Sequence, residues 1–218
     1  MRLNRDRLVD AALDLVDSDG AEALSMRVLA DRVDRQVSSL YNHISGRDDL
    51  IEAMRARIVA GIDVSAFRSV DSAGTSTSAG SADGGVSWDV ALERWARSYL
   101  RAFAAHPNLI RLLATTSIRD RSTYAMYDVV VAGLRRGGWP ESEVIAVVRT
   151  VEAHVLGSAL DIVAPGDLLA QEAADAEFPA VHSALAAHNA DSYGAAPSFE
   201  LGLAALIDGL RLRLAAAA

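Results

Sequence analysis

The sequence predicts an all-α protein, and three observations carry that prediction. Of its 218 residues 51% are apolar but only 6% aromatic, and Ala, Leu, Val and Arg recur throughout. Apolar residues repeat three and four apart over long stretches, the period of helices with one buried face. Gly and Pro gather at a few points, instead of recurring every 8–12 residues or so as they would between short strands. A chain of this length can bury a sizeable core as one large domain or two smaller ones.

In chain order, Leu8, Ala11, Ala12, Leu15 and Val16 mark a first amphipathic helix. "DSDG" stops it, with Gly20 suited to the left-handed position after a helix end. Ser25 is a natural N-cap for a short second helix in "ALSMRVLADRV", whose Leu29, Ala30 and Val33 form one apolar face. After a turn at "DRQ", the stretch "RQVSSLYNHISGRDDLIEAM" (Arg35 to Met54) holds a third helix. A fourth begins near Arg47–Asp48, with Leu50, Met54, Ile58 and Ile62 along one side.

Ser69 to Ser87 is rich in Gly, Ser, Ala and Thr with almost nothing to bury, which predicts a flexible linker. Helical spacing resumes with Trp88, Ala91, Leu92, Trp95, Ala96, Tyr99, Leu100 and Phe103, until "HPN" (His106 to Asn108) breaks it. A short helix follows in "LIRLLA", then one over about Arg121 to Arg136 that stops at "GGWP". A long apolar helix runs from Ser142 to about Ala164 and ends at Pro165–Gly166. Residues 168–188 read as helical with an interruption at Phe178–Pro179, and the loop "NADSYGAAP" leads to a last helix from about Ser198 to Ala215. The expected organisation is residues 1–48, a connecting helix 49–68, the linker 69–87 and a helical unit 88–218.

Cysteine is absent, so disulfides, thiolate metal sites and a cysteine nucleophile are excluded. The first residues lack an apolar signal core, and the apolar runs fall short of a membrane span, which predicts a cytoplasmic protein. The formal net charge of -8 argues against a protein held on nucleic acid by bulk charge. Residues 1–58, with nine Arg against eleven Asp/Glu, are nearly balanced, so the acidity sits mostly further along the chain. Any nucleic-acid contact therefore uses locally placed arginines.

On a helical wheel of roughly 100° per residue with Ser38 at zero, Leu40, Ile44 and Val37 fall at about 200°, 240° and 260°. Ser38, Asn42, Ser39 and His43 fall opposite, at about 0°, 40°, 100° and 140°, with Tyr41 on the edge. An ordinary surface helix would carry Glu and Lys there. This face is short, neutral and rich in donors and acceptors, which suits approach to base edges in a major groove. Two short helices joined by a tight turn, the second bearing such a face, make a helix-turn-helix. A small helical bundle with Ser and Asn on its surface would show the same periodicity.

The stretch "LVDAALDLVDSDGAEALSMRVLADRVDRQVSSLYNHISGRDDLIEAM" resembles the N-terminal DNA-binding domain of TetR-family transcriptional regulators. "AALDLVDSDGAEALSMRVLA", "SSLYNHI" and "SGRDDL" match in order and spacing. "HPNLIRLLA", "VLGSALD", "FPAVHSAL" and "FELGLAALIDGLRLRL" resemble the tetracycline-repressor branch more loosely. The resemblance implies that Arg27, Val37, Ser38, Ser39 and Tyr41 occupy DNA-contacting positions and that Arg47 contacts a phosphate. Asn42 and His43 join them from the wheel. Two departures stand out. Asp34 replaces the usual turn Gly, a substitution that tolerates left-handed backbone, and Arg35 stands where an apolar residue usually follows. Arg35 either lies over the core edge or reaches DNA.

The resemblance further implies a two-fold dimer on a palindromic operator in double-stranded DNA, a C-terminal ligand-binding and dimerisation domain, and release by a small apolar or aromatic effector. The helices 142–164 and 198–215 are the candidate dimer surface; Gly157, Ser158, Gly202, Ala204, Ala205 and Gly209 permit close approach between subunits or within one. Trp95, Tyr99, Phe103, Tyr124, Tyr127 and His154 are candidates for lining a cavity, although an aromatic stripe also suits a plain core. Leu113 stands where the tetracycline repressor has its metal-binding His, which argues against a magnesium–tetracycline ligand. His43, His106, His154, His182 and His188 form no metal motif, and no phosphate loop or catalytic constellation is present, so neither a cofactor nor an enzyme is expected. The other reading is a helical ligand- or partner-binding module that has lost DNA binding.

Overall fold

The computed structural model describes residues 3–71, 85–165, 169, 174, 177–186, 189 and 192–217. Among these residues the structure is helical throughout, with a single isolated bridge between Val70 and Val86 and no strand.

Helix α1 (Arg5–Asp19) begins at Asn4, whose side chain accepts from the Arg7 N–H at 2.9 Å, and buries Leu8, Ala12, Leu15 and Val16. It stops at Gly20, whose φ of 84° admits few other residues and whose N–H closes on the Val16 carbonyl at 2.9 Å. A 3-10 turn at Ala21–Ala23, not legible in the pattern, precedes α2 (Met26–Arg32). The Ser25 hydroxyl accepts from Val28 N at 3.2 Å, the expected cap. Then come α3 (Val37–Leu40) and α4 (Arg47–Val59), whose Leu50, Met54 and Ile58 are buried against α1 and the rest of the core.

The stretch 49–68 is not one connecting helix. Past Val59 the chain turns through Gly61, and Asp63 Oδ1 accepts from Ser65 N at 2.8 Å to start a separate α5 (Ser65–Arg68). That carboxylate offers the backbone a local alternative to continuing the helix. Of the expected linker 69–87, residues 72–84 lie outside the described residues. Its two ends meet: Val86 N donates to Ser69 O at 2.9 Å and Asp71 N to Val86 O at 3.3 Å.

The remaining helices are α6 (Trp88–Ala104), α7 (Pro107–Ala114), α8 (Arg121–Arg136), α9 (Glu141–Asp161), α10 (Pro179–Ala184) and α11 (Ala195–Ala217). α6 and α9 form the centre, with α8 and α11 packed on them. Trp95 is fully buried there, edge-on to Phe67 at 6.4 Å and to Tyr99 at 5.3 Å. Gly133 of α8 lets Phe67 approach; a Cβ would meet Phe67 Cδ1 at 2.7 Å. Arg97–Glu200, Arg211–Asp89 and Arg213–Glu143 pairs tie α11 to α6 and α9.

Two boundaries differ from expectation. α9 ends at Asp161, short of Ala164, and finishes in a tight turn before Pro165. α11 begins at Ala195, ahead of Ser198, because Pro197 falls in its first turn, where the missing N–H is harmless. The helix expected in 168–188 is described only over Pro179–Ala184, and most of the rest lies outside the described residues.

Candidate functional site

The turn between α2 and α3 hinges on Asp34, the single described non-Gly residue with positive φ, at 54°. Asp is among the few residues that tolerate this conformation, so it serves where Gly would be expected. Arg35 N donates to Ala30 O at 3.0 Å, and the exposed Arg35 guanidinium folds back onto Asp34 O at 2.6 Å.

Regular α-helix extends only from Val37 to Leu40. The Leu40 carbonyl then accepts from both His43 N (2.9 Å) and Ile44 N (3.0 Å), so the helical path tightens but continues to Ile44. Leu40 and Ile44 are buried and Val37 half-buried, as the wheel requires. On the other side Ser38, Tyr41 and Asn42 are exposed and Ser39 and His43 half-buried. Arg27 and Arg47 are exposed beside them, and Arg47 Nε is held by Leu24 O at 3.2 Å. The eight sequence-derived residues thus lie on α2, on α3 and the turn that follows it, and at the start of α4.

A support that the pattern does not reveal lies beneath this face. Arg5 forks onto both Asp49 oxygens at 2.6 and 3.1 Å and donates to His43 O at 3.2 Å. Asp49 also accepts from Ser45 N at 2.8 Å and Ser45 Oγ at 3.0 Å. The Arg5 hydrogen bond, aided by those from Ser45, outweighs burial and holds the Asp49 carboxyl down at about 2. "SGRDDL" thus supplies a bracket for the end of α3 as well as an acidic first turn.

A second site lies inside the helical bundle. A cavity of about 540 Å³ is bounded by α4, α6, α7, α8 and α9. Of the aromatic candidates, Tyr99, Phe103, Tyr124 and Tyr127 line it; Trp95 and His154 do not. Trp95, one turn before Tyr99, points into the core towards Phe67. His154 faces α11, where Nε2 meets Phe199 O at 3.0 Å and the ring stacks on Phe199 at 5.3 Å. Leu113 is in the cavity wall.

The polar residues of the wall escaped sequence reasoning. Arg149, Glu152, Ala153 and Leu156 share one face of α9 at helical spacing, but a Glu and an Arg on a helix read as solvated. Glu152 is in fact buried, and Tyr127 donates to its Oε1 at 2.6 Å. Burial pushes the Glu152 carboxyl above its ordinary range, against the opposing effect of the Tyr127 and Tyr99 hydroxyls. The same burial, with Glu152 adjacent, pushes both phenols up. Arg55 of α4 is also buried; its Nη2 donates to Leu113 O (3.2 Å) and Thr116 O (2.9 Å), and its Nε to Glu52 Oε1 at 3.1 Å. Glu52 Oε2 in turn accepts from Arg119 N (2.6 Å) and Asp120 N (2.7 Å). One helix, α4, therefore begins beside the polar face and is bonded eight residues later to the cavity wall.

A more open groove of about 810 Å³ along α1 and α4 is lined largely by charged residues that pair with one another, such as Arg5 with Asp49 and Arg57 with Asp6. Among the described residues, no cluster of His, Asp and Glu is arranged to hold a metal, and no helix is long and apolar enough to cross a membrane.

Residues 81–214 match the family described as "Tetracyclin repressor-like, C-terminal domain". An HTH-type transcriptional regulator from Saccharopolyspora erythraea is 28% identical over 72% of this chain, which spans 59% of that protein's length. The HTH-type transcriptional repressor DrrR1 of Streptomyces coeruleorubidus is 28% identical, over 98% of this chain and 79% of its own. Apo ActR from Streptomyces coelicolor superposes with a TM-score of 0.76 at 25% identity, covering 100% of this chain and 99% of that one. The same protein in complex with (S)-DNPA gives 0.71 at 26% identity, with full coverage of both chains.

Proposed function

The chain belongs to the TetR family of transcriptional regulators, and from that premise we propose a homodimeric repressor that leaves a palindromic DNA operator when a small aromatic molecule fills the inner cavity. The observation that carries this reading is the neutral, exposed Ser38–Tyr41–Asn42 face set over buried Leu40 and Ile44 beyond a left-handed Asp34 turn. In this reading Ser38, Ser39 and Asn42 approach base edges, Tyr41 and Val37 pack on sugar or thymine methyl groups, and Arg27, Arg47 and His43 meet phosphates. Residues up to about 48 form the reader and residues 88–218 the ligand-binding and dimerisation unit. DrrR1 is a transcriptional repressor, and ActR has been seen with a small molecule bound. The protein acts in the cytoplasm, by binding and not by catalysis.

One recognition helix reads only a few base pairs, so two subunits place their helices in half-sites about 34–36 Å apart. The outward faces of α9 and α11 suit that pairing. Ile145, Leu160, Leu201 and Leu212 are exposed large apolar residues, and Gly157 and Gly209 have open space before them. Gly202 is not part of that outward surface, since a Cβ there would strike the His154 ring. Release follows from α4. A ligand that shifts the wall at Leu113–Thr116 acts on Arg55, hence on α4 and the spacing of the two readers, favouring the unbound population.

Selection of bound duplexes from a random pool at near-physiological salt tests the reading, with a recovered palindrome as the expected result. Arg47→Ala should weaken binding to all sequences and reduce the salt slope by about one. Ser39→Ala or Asn42→Ala should alter preference at particular base positions. No enrichment by a folded, dimeric protein would point instead to a ligand- or partner-binding module.

A further inference from the structure

The cavity has a polarity that narrows its occupant, on the reading that it is the effector site. Its wall carries two guanidinium groups, Arg55 and Arg149, and one carboxyl, Glu152. Arg55 is already engaged by Glu52 and two carbonyls. Arg149 is exposed and engaged by no hydrogen bond or ion pair among the described residues, and its charge is felt by Glu152, one turn along the helix.

Glu152 is the opposite case. It is buried, Tyr127 donates to one oxygen, and burial favours its protonated form. The Tyr127 hydroxyl and the Glu152 carboxyl together form one polar spot in an otherwise largely apolar wall, a place for a single oxygen of the occupant. An ammonium group in the same cavity would face the two arginines of its wall. The rest of the wall is mainly aromatic and aliphatic, with Phe103, Tyr124, Leu113 and Leu156, and has hydroxyls at Thr116 and Ser117. The volume of about 540 Å³ fits a molecule of a few fused or linked rings.

We propose that the cavity selects planar aromatic anions, with the rings among Phe103, Tyr124 and Leu113, a polar oxygen on the Tyr127–Glu152 pair, and the acidic group on Arg149. Arg149 and Glu152 stand one helical turn apart on α9, about 4.5 Å along its axis, so one small molecule reaches both. A neutral ring system of the same size leaves Arg149 unused, and a cationic one is repelled by it.

Fluorescence titration of the full-length protein with two probes of equal ring size tests this: 8-anilinonaphthalene-1-sulfonate, an anion, and N-phenyl-1-naphthylamine, which lacks the sulfonate. The wild type should bind the anion about fivefold more tightly, the range expected of a solvent-accessible ion pair. Arg149→Ala should abolish that preference and leave the neutral probe unchanged, and Arg149→Glu should reverse it. Arg149 is exposed, so folding is not at stake in either variant. Ala153→Trp, from an exposed wall position, should obstruct the cavity to both probes. Equal affinities, or equal losses for both probes in Arg149→Ala while Ala153→Trp still excludes them, would overturn the anion selectivity and leave the cavity as an effector site. Titrations unaffected by Ala153→Trp would place the probes elsewhere and overturn both.

Discussion

The two halves of this molecule are built inside out from one another. From Leu8 to Met54 every buried side chain is apolar, and the groups with chemistry to offer, from Arg27 to Arg47, stand outside. Among the described residues the buried polar ones are Arg55, Ser98, Thr123 and Glu152, all beyond that point, and two of them face the cavity. A close-packed apolar core holds one shape and presents its surface groups in fixed register. A core with polar groups around empty space changes energy when something enters it. The proposed reader is thus close-packed, the proposed receiver holds polar groups around a cavity, and α4 belongs to both.

The sharpest way to break that contrast is to delete the same atoms from each half. Leu40→Ala should cost about 3–4 kcal/mol, since Leu40 is fully buried under the α3 turn. Leu113→Ala, beside space that is already open, should cost nearer ~2 kcal/mol because fewer packing partners are lost. Urea midpoints compare the two, and equal losses would show the cavity wall to be as tightly packed as the head.

The next effect concerns the bracket under the polar face. Arg5→Ala frees His43 O and Asp49 together, and should weaken operator binding roughly tenfold, about 1.4 kcal/mol. Base preference should not change, because Arg5 lies behind the face and not on it. A changed preference in a binding-site selection would mean that Arg5 itself reads DNA.

Smaller effects separate the halves by pH. Glu152 holds its proton more tightly folded than unfolded. Its contribution to stability is therefore complete below the ordinary carboxylate range and is lost as pH rises through its raised value. Glu152→Gln should accordingly flatten the decline of thermal stability as pH rises above the ordinary carboxylate range. Asp49 has the opposite sign: its contribution is complete above about 4 and lost as pH falls towards about 2. Asp49→Asn should remove that acid-side slope in thermal melts. Exchanged signs would reverse the assignment of buried acid to one half and bonded carboxylate to the other.

The same inversion explains what the sequence disclosed. The head was legible because Ser, Asn and His on a helix face break the usual rule for surfaces, and Leu40 and Ile44 fix its orientation. Asp34 was legible as a turn because few residues adopt its backbone. Glu152 and Arg55 obey the usual rule and are buried only by packing from distant helices, which no local spacing encodes. Trp95 and His154 share helices with true cavity residues but point to other neighbours. The α5 turn is too short for a period to show, although its Phe67 is fully buried.

The bridge between Val70 and Val86 closes a doorway. Where the chain leaves for residues 72–84 and where it returns are adjacent stretches of backbone, bonded to each other. Loop-closure cost grows only slowly with length, so two ends already bonded to each other place little entropic demand on how much chain joins them. An insertion between Asp71 and Gly85 should therefore leave the melting temperature of the helices unchanged, and the junction would then serve as a port for attaching cargo to the regulator.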